Sequence, residues 1–195
     1  QQSFYFDGLG RTIQEVFKQG ATNGSSYVDF VKTSIYDAFG RTAKEYLPAP
    51  SSAPNGLFKL SPYQEQASFY NSYLAGQGTE VVSSKNWAYS KNVYQNDPED
   101  RILSAYSPGA SWVGSESLAE ANRRNISSAA YSNTSPDDVK LWSYNSTTAV
   151  FTTTSTYTPG SLHKFITIDE DKKQVVEFQN KIGQVILKTV QLTSS

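Results

Sequence analysis

Tyr36-Asp37-Ala38-Phe39-Gly40-Arg41-Thr42, read with its flanks, decides the fold. Tyr27 to Tyr36 is rich in Val, Phe, Thr and Ile, and Thr42 to Leu47 resumes the same character, so both flanks read as strands. Asp opens a type I turn because its side chain accepts a bond from a backbone N–H two residues on. Gly in fourth place takes positive φ and forms the bulge that restores the strand twist. Arg then starts the returning strand, within reach of the turn carboxylate.

The unit recurs. Phe4-Tyr5-Phe6-Asp7-Gly8-Leu9-Gly10-Arg11-Thr12 stands 30 residues earlier and runs into Ile13 to Phe17. Two such copies at one spacing make a repeat, with hairpin units over 3–17 and 27–47. Gln179-Asn180-Lys181-Ile182-Gly183-Gln184 is a third copy that keeps Gly183 but has Asn180 for Asp and Gln184 for Arg. Asp169-Glu170-Asp171-Lys172 is a degenerate copy with Lys172 where Gly would stand. The predicted turn residues are therefore Asp7, Gly10, Arg11, Asp37, Gly40, Arg41, Asn180 and Gly183. Strands flanking the last two copies give a three-stranded meander over 164–190.

Pro48 to Gly56 breaks regular structure. The best helix follows, over 61–76. Ser61 can cap it, Pro62 suits the first helical position, and Gln64 completes a capping box. Tyr63, Ala67, Tyr70 and Leu74 share one face, and Gly76 can end it. Asp97-Pro98-Glu99-Asp100-Arg101 reads as one helical turn, Leu118 to Arg124 as a short helix, and Ile102 to Tyr106, Val139 to Tyr144 and Val150 to Tyr157 as strands. The fold class is mainly β (β-rich α+β): antiparallel hairpins and a meander with one packed helix, in a single module over 1–195.

Composition narrows the function. Lys plus Arg is 17 and Asp plus Glu is 18, a net charge of −1, which offers no basic field for a phosphate backbone and argues against nucleic acid. No apolar run approaches the roughly 18 residues of a membrane-spanning helix. Cys is absent, which excludes disulfides and thiolate metal sites. Met is absent even from position 1, so the chain is expected to start inside a longer gene product or after processing. With 13 Tyr, 10 Phe and abundant Ser, Thr and Asn, it suits an extracytoplasmic β protein.

The two aromatic–Asp–x–x–Gly–Arg–Thr segments resemble the YD repeats of Rhs-family proteins. The order of landmarks along the chain resembles, more narrowly, a domain of unknown function near the N-terminus of Bacteroidetes Rhs/YD-repeat proteins. Those landmarks include Asn96-Asp97-Pro98 with Arg101-Ile102-Leu103, Pro108-Gly109-Ala110-Ser111-Trp112, Leu141-Trp142-Ser143 and Pro159-Gly160-Ser161-Leu162-His163-Lys164. The resemblance implies large secreted or surface-exposed bacterial proteins whose YD hairpins wind into a hollow β shell, which in related toxins encloses a C-terminal effector. It implies a non-enzymatic scaffold that caps or forms part of that shell, with neighbouring YD-repeat segments of the same parent as partners.

Other chemistry has little support. His163 is the single histidine and no G-x-S-x-G elbow accompanies it. Asp169-x-Asp171 begins like a calcium loop, but Lys172 and Lys173 spoil the ligand set. No residue is assigned a catalytic, cofactor-binding or metal-binding role. The alternative function is a carbohydrate-binding module that stacks a surface glycan on exposed Trp87, Trp112 or Trp142 with nearby Tyr, although Trp is more often core. N-x-S/T sequons at Asn23, Asn125, Asn133 and Asn145 read as polar loops.

Overall fold

A computed structural model of the chain describes residues 1–73, 87–97 and 99–193. The described residues are mainly antiparallel strands with a single α-helix. The chain divides into two compact units, Gln1–Asn125 and Ile126–Ser195, where the sequence suggested one module over 1–195.

The first unit holds β1 (Gln2–Phe6), β2 (Thr12–Asn23), β3 (Ser26–Tyr36), β4 (Thr42–Tyr46), β5 (Ala49–Pro50), α1 (Pro62–Tyr73), β6 (Tyr89–Tyr94) and β7 (Ile102–Tyr106). The strands pair in the order β1-β2-β3-β4-β6-β7, with β5 laid on β3. Both predicted hairpin units form, as β1–β2 and β3–β4. Inward residues alternate as a half-buried sheet requires: Gln14 and Val16 on β2, Asp29, Val31 and Thr33 on β3.

Two of those inward residues are polar, and they clamp the irregular stretch after β5. The Asp29 carboxylate is 0 % exposed. It accepts the N–H of Gln19 (2.9 Å), the N–H of Gly56 (2.6 Å) and the Lys59 amine (2.7 Å). Lys59 also donates to the Ala53 carbonyl and Asn55 Oδ1, so its buried ammonium is fully partnered. Burial pushes the Asp29 carboxyl up, and Lys59 with the two backbone N–H groups overcomes this, leaving it below the usual carboxylate range. The Gln14 carboxamide takes both backbone groups of Lys59, donating to its carbonyl and accepting from its N–H. A bulge in β2, where the register with β3 shifts between Phe17 and Ala21, contains Gln19, whose N–H goes to Asp29. Gln19 has φ 55°, and at Gly20 a Cβ would come within 2.9 Å of the Phe17 Cβ.

The helix starts at Pro62 as expected, and its described part ends at Tyr73. Leu74 and Gly76, expected to belong to it, lie outside the described residues, as does Pro98 of the expected helical turn at 97–101. The packing face differs from the expected Tyr63, Ala67, Tyr70 and Leu74. Its most buried residues are Gln66 and Tyr70. Gln66 donates to the carbonyls of Leu47 and Ala88, and the Tyr70 hydroxyl donates to the Pro48 carbonyl. The helix sits on strand ends whose carbonyls need donors, so a carboxamide fits better there than an apolar side chain. Tyr70 packs with Ala49 and Ala88, and a second cluster joins Tyr89, Tyr106 and Val113 to Tyr46 and Trp87. Burial there, with Tyr63 and Tyr89 alongside, pushes the Tyr46 phenol up to about 12. The helix expected at 118–124 is a 3-10 turn, Glu120–Asn122, preceded by another at Val113–Ser117.

The second unit holds β8 (Ile126–Ser132), β9 (Lys140–Asn145), β10 (Val150–Thr156), β11 (His163–Ile168), β12 (Gln174–Gln179) and β13 (Val185–Val190). The predicted meander is β11-β12-β13, and β9–β10 is a separate hairpin. The strand β8, which its Ser- and Ala-rich sequence concealed, pairs with β11 through Ser127 to Ser132. Val139, Leu162 and Phe178 form the core. Asn133 ties the connection down, donating to the Thr158 carbonyl and accepting the Leu162 N–H.

Candidate functional site

The predicted turn residues form one backbone device, repeated. At Asp7, Oδ1 accepts the N–H groups of Leu9 (2.8 Å) and Arg11 (3.0 Å). Asp37 does the same for Phe39 and Arg41 at 2.9 Å each. Asn180 does it for Ile182 and Gln184, and Asp169 for Asp171 and Lys173. In each turn the fourth residue donates its N–H to the first residue's carbonyl. That fourth residue is left-handed: Gly10 φ 78°, Gly40 φ 86°, Gly183 φ 80° and Lys172 φ 65°. The degenerate copy at Asp169 therefore adopts the full geometry without its glycine.

The charge pair within the turn is present in the first two copies. Arg11 Nε lies 2.7 Å from Asp7 Oδ2, and Arg41 Nε lies 2.8 Å from Asp37 Oδ2. The Arg11 guanidinium, joined by backbone N–H groups, holds the Asp7 carboxyl below the usual range. At Asp37, burial acts upward, and the Arg41 N–H and guanidinium outweigh it. In the third copy Asn180 Nδ2 donates to Gln184 Oε1 at 2.9 Å, so an amide pair replaces the ion pair.

The first unit adds links between hairpins. The Arg11 guanidinium lies over the Tyr36 ring, 4.6 Å from its centroid, and the Tyr36 hydroxyl donates back to the Thr12 carbonyl at 2.9 Å. One hairpin further on the pattern repeats. Arg41 lies over the Tyr94 ring at 4.5 Å, and the Tyr94 hydroxyl donates to the Thr42 carbonyl at 3.1 Å. Each tyrosine before a turn thus holds the Arg and Thr after the preceding turn. Gly40 also lies close to Arg11: a Cβ there would stand 2.9 Å from Arg11 Nη1, the movable end of the side chain.

The third rung escaped the sequence reading. Where a helical turn was expected at 97–101, the described residues Asp97, Glu99, Asp100 and Arg101 are not helical and lie in the loop that closes the β6–β7 hairpin between Tyr94 and Ile102. Asp97 Oδ1 accepts the Glu99 N–H, Asp100 is left-handed at φ 53°, and Arg101 Nη2 lies 2.9 Å from Asp97 Oδ2. Asp100 stands where Gly does elsewhere, and it receives Arg41 Nη1 at 3.0 Å. The spacing Tyr94, Asp97, Asp100, Arg101 carried the signal. It was masked by a loop of seven residues, 95–101, against five in 37–41.

The other candidates fall apart from one another. Trp87 packs on the Tyr89–Val113 cluster, and Trp112 lies under the Arg124 guanidinium at 4.4 Å. Trp142 is 62 % exposed on β9. Tyr144, two residues along the same face, stacks on Phe151 at 4.9 Å. His163 is exposed at the start of β11, 6.4 Å from Phe165. Asn125 and Asn133, both in sequons, are buried. Among the described residues no group of His, Asp and Glu converges as metal ligands, and no helix is long and apolar enough to cross a membrane.

No curated protein matches the chain. One family profile does, over residues 1–126, which takes in the whole of the first unit with its three-rung ladder and helix. The chain belongs to DUF6443, a family defined by a domain of unknown function.

Proposed function

We propose that the chain is a non-enzymatic scaffold module of a large secreted or surface-exposed Rhs/YD-repeat protein of Bacteroidetes. It caps or forms part of a β shell, and its partners are neighbouring YD-repeat segments of the same parent. One observation carries this: every turn arginine that precedes another rung is held by the tyrosine of that rung. Such an arrangement is modular, because each hairpin offers a cation on one side and an aromatic ring on the other. Phe6 occupies the tyrosine position of the first rung and is 58 % exposed, on the edge strand β1. A further hairpin arriving there would set its arginine on Phe6 and pair the open edge.

The test is electron microscopy of the parent protein with the reading of its adjoining sequence. Further Tyr-Asp-x-x-Gly-Arg units and a hollow β shell are expected. A parent without further units, or a particle without a shell, overturns the proposal.

A carbohydrate-binding module is the second reading, favoured by the exposed Trp142, Tyr144 and Phe151 on the β9–β10 hairpin. A glycan array with the intact chain tests it; binding removed by Trp142→Ala is expected, and an array without hits refutes it.

A further inference from the structure

The clamp on the stretch after β5 brings an amine, a carboxylate and a carboxamide together. Asp29 is 0 % exposed, and the Lys59 side chain that reaches it is 6 % exposed. Lys59 Nζ lies 2.7 Å from Asp29 Oδ2 and 2.7 Å from Asn55 Oδ1, with the Ala53 carbonyl at 2.9 Å on its third side. A structural clamp needs the ion pair alone. The carboxamide adds an acyl group within reach of a buried amine that has a proton acceptor at its side.

The surroundings of Asn55 suit acyl transfer. A C=O bond is about 1.23 Å long, so Nζ stands within about 4 Å of Cγ, close to the roughly 3–3.5 Å of a reacting pair. The Leu57 N–H already donates to Oδ1 at 3.0 Å, where negative charge develops on attack. Asn55 itself is exposed, which gives released ammonia a way out. An asparagine before glycine is also open to attack by the next backbone nitrogen. Here Gly56 is buried and its N–H is committed to Asp29 Oδ2 at 2.6 Å, which hinders that competitor.

We infer that Lys59 and Asn55 join through an isopeptide bond, with Asp29 as the base that moves the protons. The Asp29 carboxylate takes a proton from Nζ, which replaces two buried charges by two neutral groups. The freed lone pair forms a bond to Cγ, and the Leu57 N–H holds the oxyanion. The Cγ–Nδ2 bond then breaks. Asp29 passes two protons in turn from Nζ to the departing nitrogen, which leaves as ammonium. A primary amide and an alkylammonium thus become a secondary amide and an ammonium ion, with nothing oxidised or reduced. The ion pair is the resting arrangement, so the reaction is slow, but it has to happen only once in each chain. The product ties the irregular stretch covalently across the Asp29 clamp. The inference is independent of the scaffold proposal.

Peptide mapping of the intact chain, denatured before digestion, tests it. Trypsin does not cut after an acylated lysine. The fragment that spans Asn55 and Lys59 should therefore stay whole and weigh less by one ammonia, with the loss placed at that pair by fragmentation. Asn55→Ala and Asp29→Asn should each restore cutting after Lys59 at full mass. Lys59→Arg keeps the cation without the nucleophile, so the loss should vanish. A wild-type chain that is cut after Lys59 at full mass overturns the inference. So does a loss at Asn55 that persists in Lys59→Arg, which marks a succinimide with Gly56, or a bond that forms undiminished in Asp29→Asn.

Discussion

The turns at Asp37 and Asn180 share a backbone and differ in everything beyond it. Both accept two N–H groups on one side-chain oxygen, and both place glycine in the left-handed region. Asp37 adds an ion pair with Arg41, which reaches on to Tyr94, Gln95 and Asp100. The Asn180 turn closes on itself through Gln184. Topology explains the difference. In the first unit, the β1–β2, β3–β4 and β6–β7 turns lie at the same end of one sheet, so an arginine can reach the next hairpin. In the β11-β12-β13 meander, successive turns fall at opposite ends, and no arginine could bridge them. The backbone device is a local property of the sequence; the ladder is a property of how hairpins line up.

The largest effect that can break this comparison lies in what anchors each unit. The first rests on Asp29 and Lys59, whose side chains are 0 % and 6 % exposed, while the second has the more open Lys164–Asp137 pair. Asp29→Ala strands a buried ammonium and should destabilise the first unit by about 3–5 kcal/mol. Hydrogen exchange should show the loss in β2 and β3. Equal loss across both units would dissolve the distinction.

Acid should separate the units along the same line. The carboxyls of Asp7, Asp29, Asp37 and Asp137 all lie below their ordinary value. Their contributions are complete above the unfolded-state value of about 3.9, and they are lost as pH falls through the lower folded values. Melting temperature should therefore hold from neutrality down to about pH 4 and then drop. Asp29→Asn should flatten part of that drop.

Smaller effects sharpen the turn comparison. Gly40→Ala should cost about 1–2 kcal/mol through left-handed strain. It should exceed Gly10→Ala, where an added Cβ meets nothing within 4 Å. Equal urea midpoints would mean that Arg11 moves aside at no cost. Tyr94→Phe keeps the ring under Arg41 and removes the hydroxyl bond to Thr42, a loss of about 0.5–1.5 kcal/mol. Lys172→Gly should stabilise the second unit by about 0.5 kcal/mol, since glycine relieves the left-handed strain and gives back part of the gain in unfolded-state entropy. A lower melting temperature would show that this lysine makes a contribution outside the turn.

Much of the chain was legible because turn chemistry acts over four residues. Asp7, Gly10, Asp37, Gly40 and Gly183 sit where a side-chain acceptor and a positive φ are demanded, and the strands between them follow from composition. The Asp97 turn was misread because Asp-Pro also opens helices, and two extra residues blurred its kinship with the others. The strand β8 carries too few β-formers to announce itself and exists because β11 offers a ladder to pair with. Trp87 and Trp112 look like Trp142 in the sequence; only packing separates Trp87, set against a core cluster, and Trp112, under Arg124, from the one on an open hairpin.

The sequence by itself determined the hairpins. An acceptor side chain, a left-handed fourth residue and β-branched flanks specify a turn whatever lies beyond. The tertiary structure alone decided which turns became rungs and which polar residues were buried as a clamp. Those outcomes depend on groups 20 to 60 residues apart, such as Arg41 with Asp100 or Asp29 with Lys59. Their meeting is set by sheet order and strand register, to which no short stretch of sequence responds.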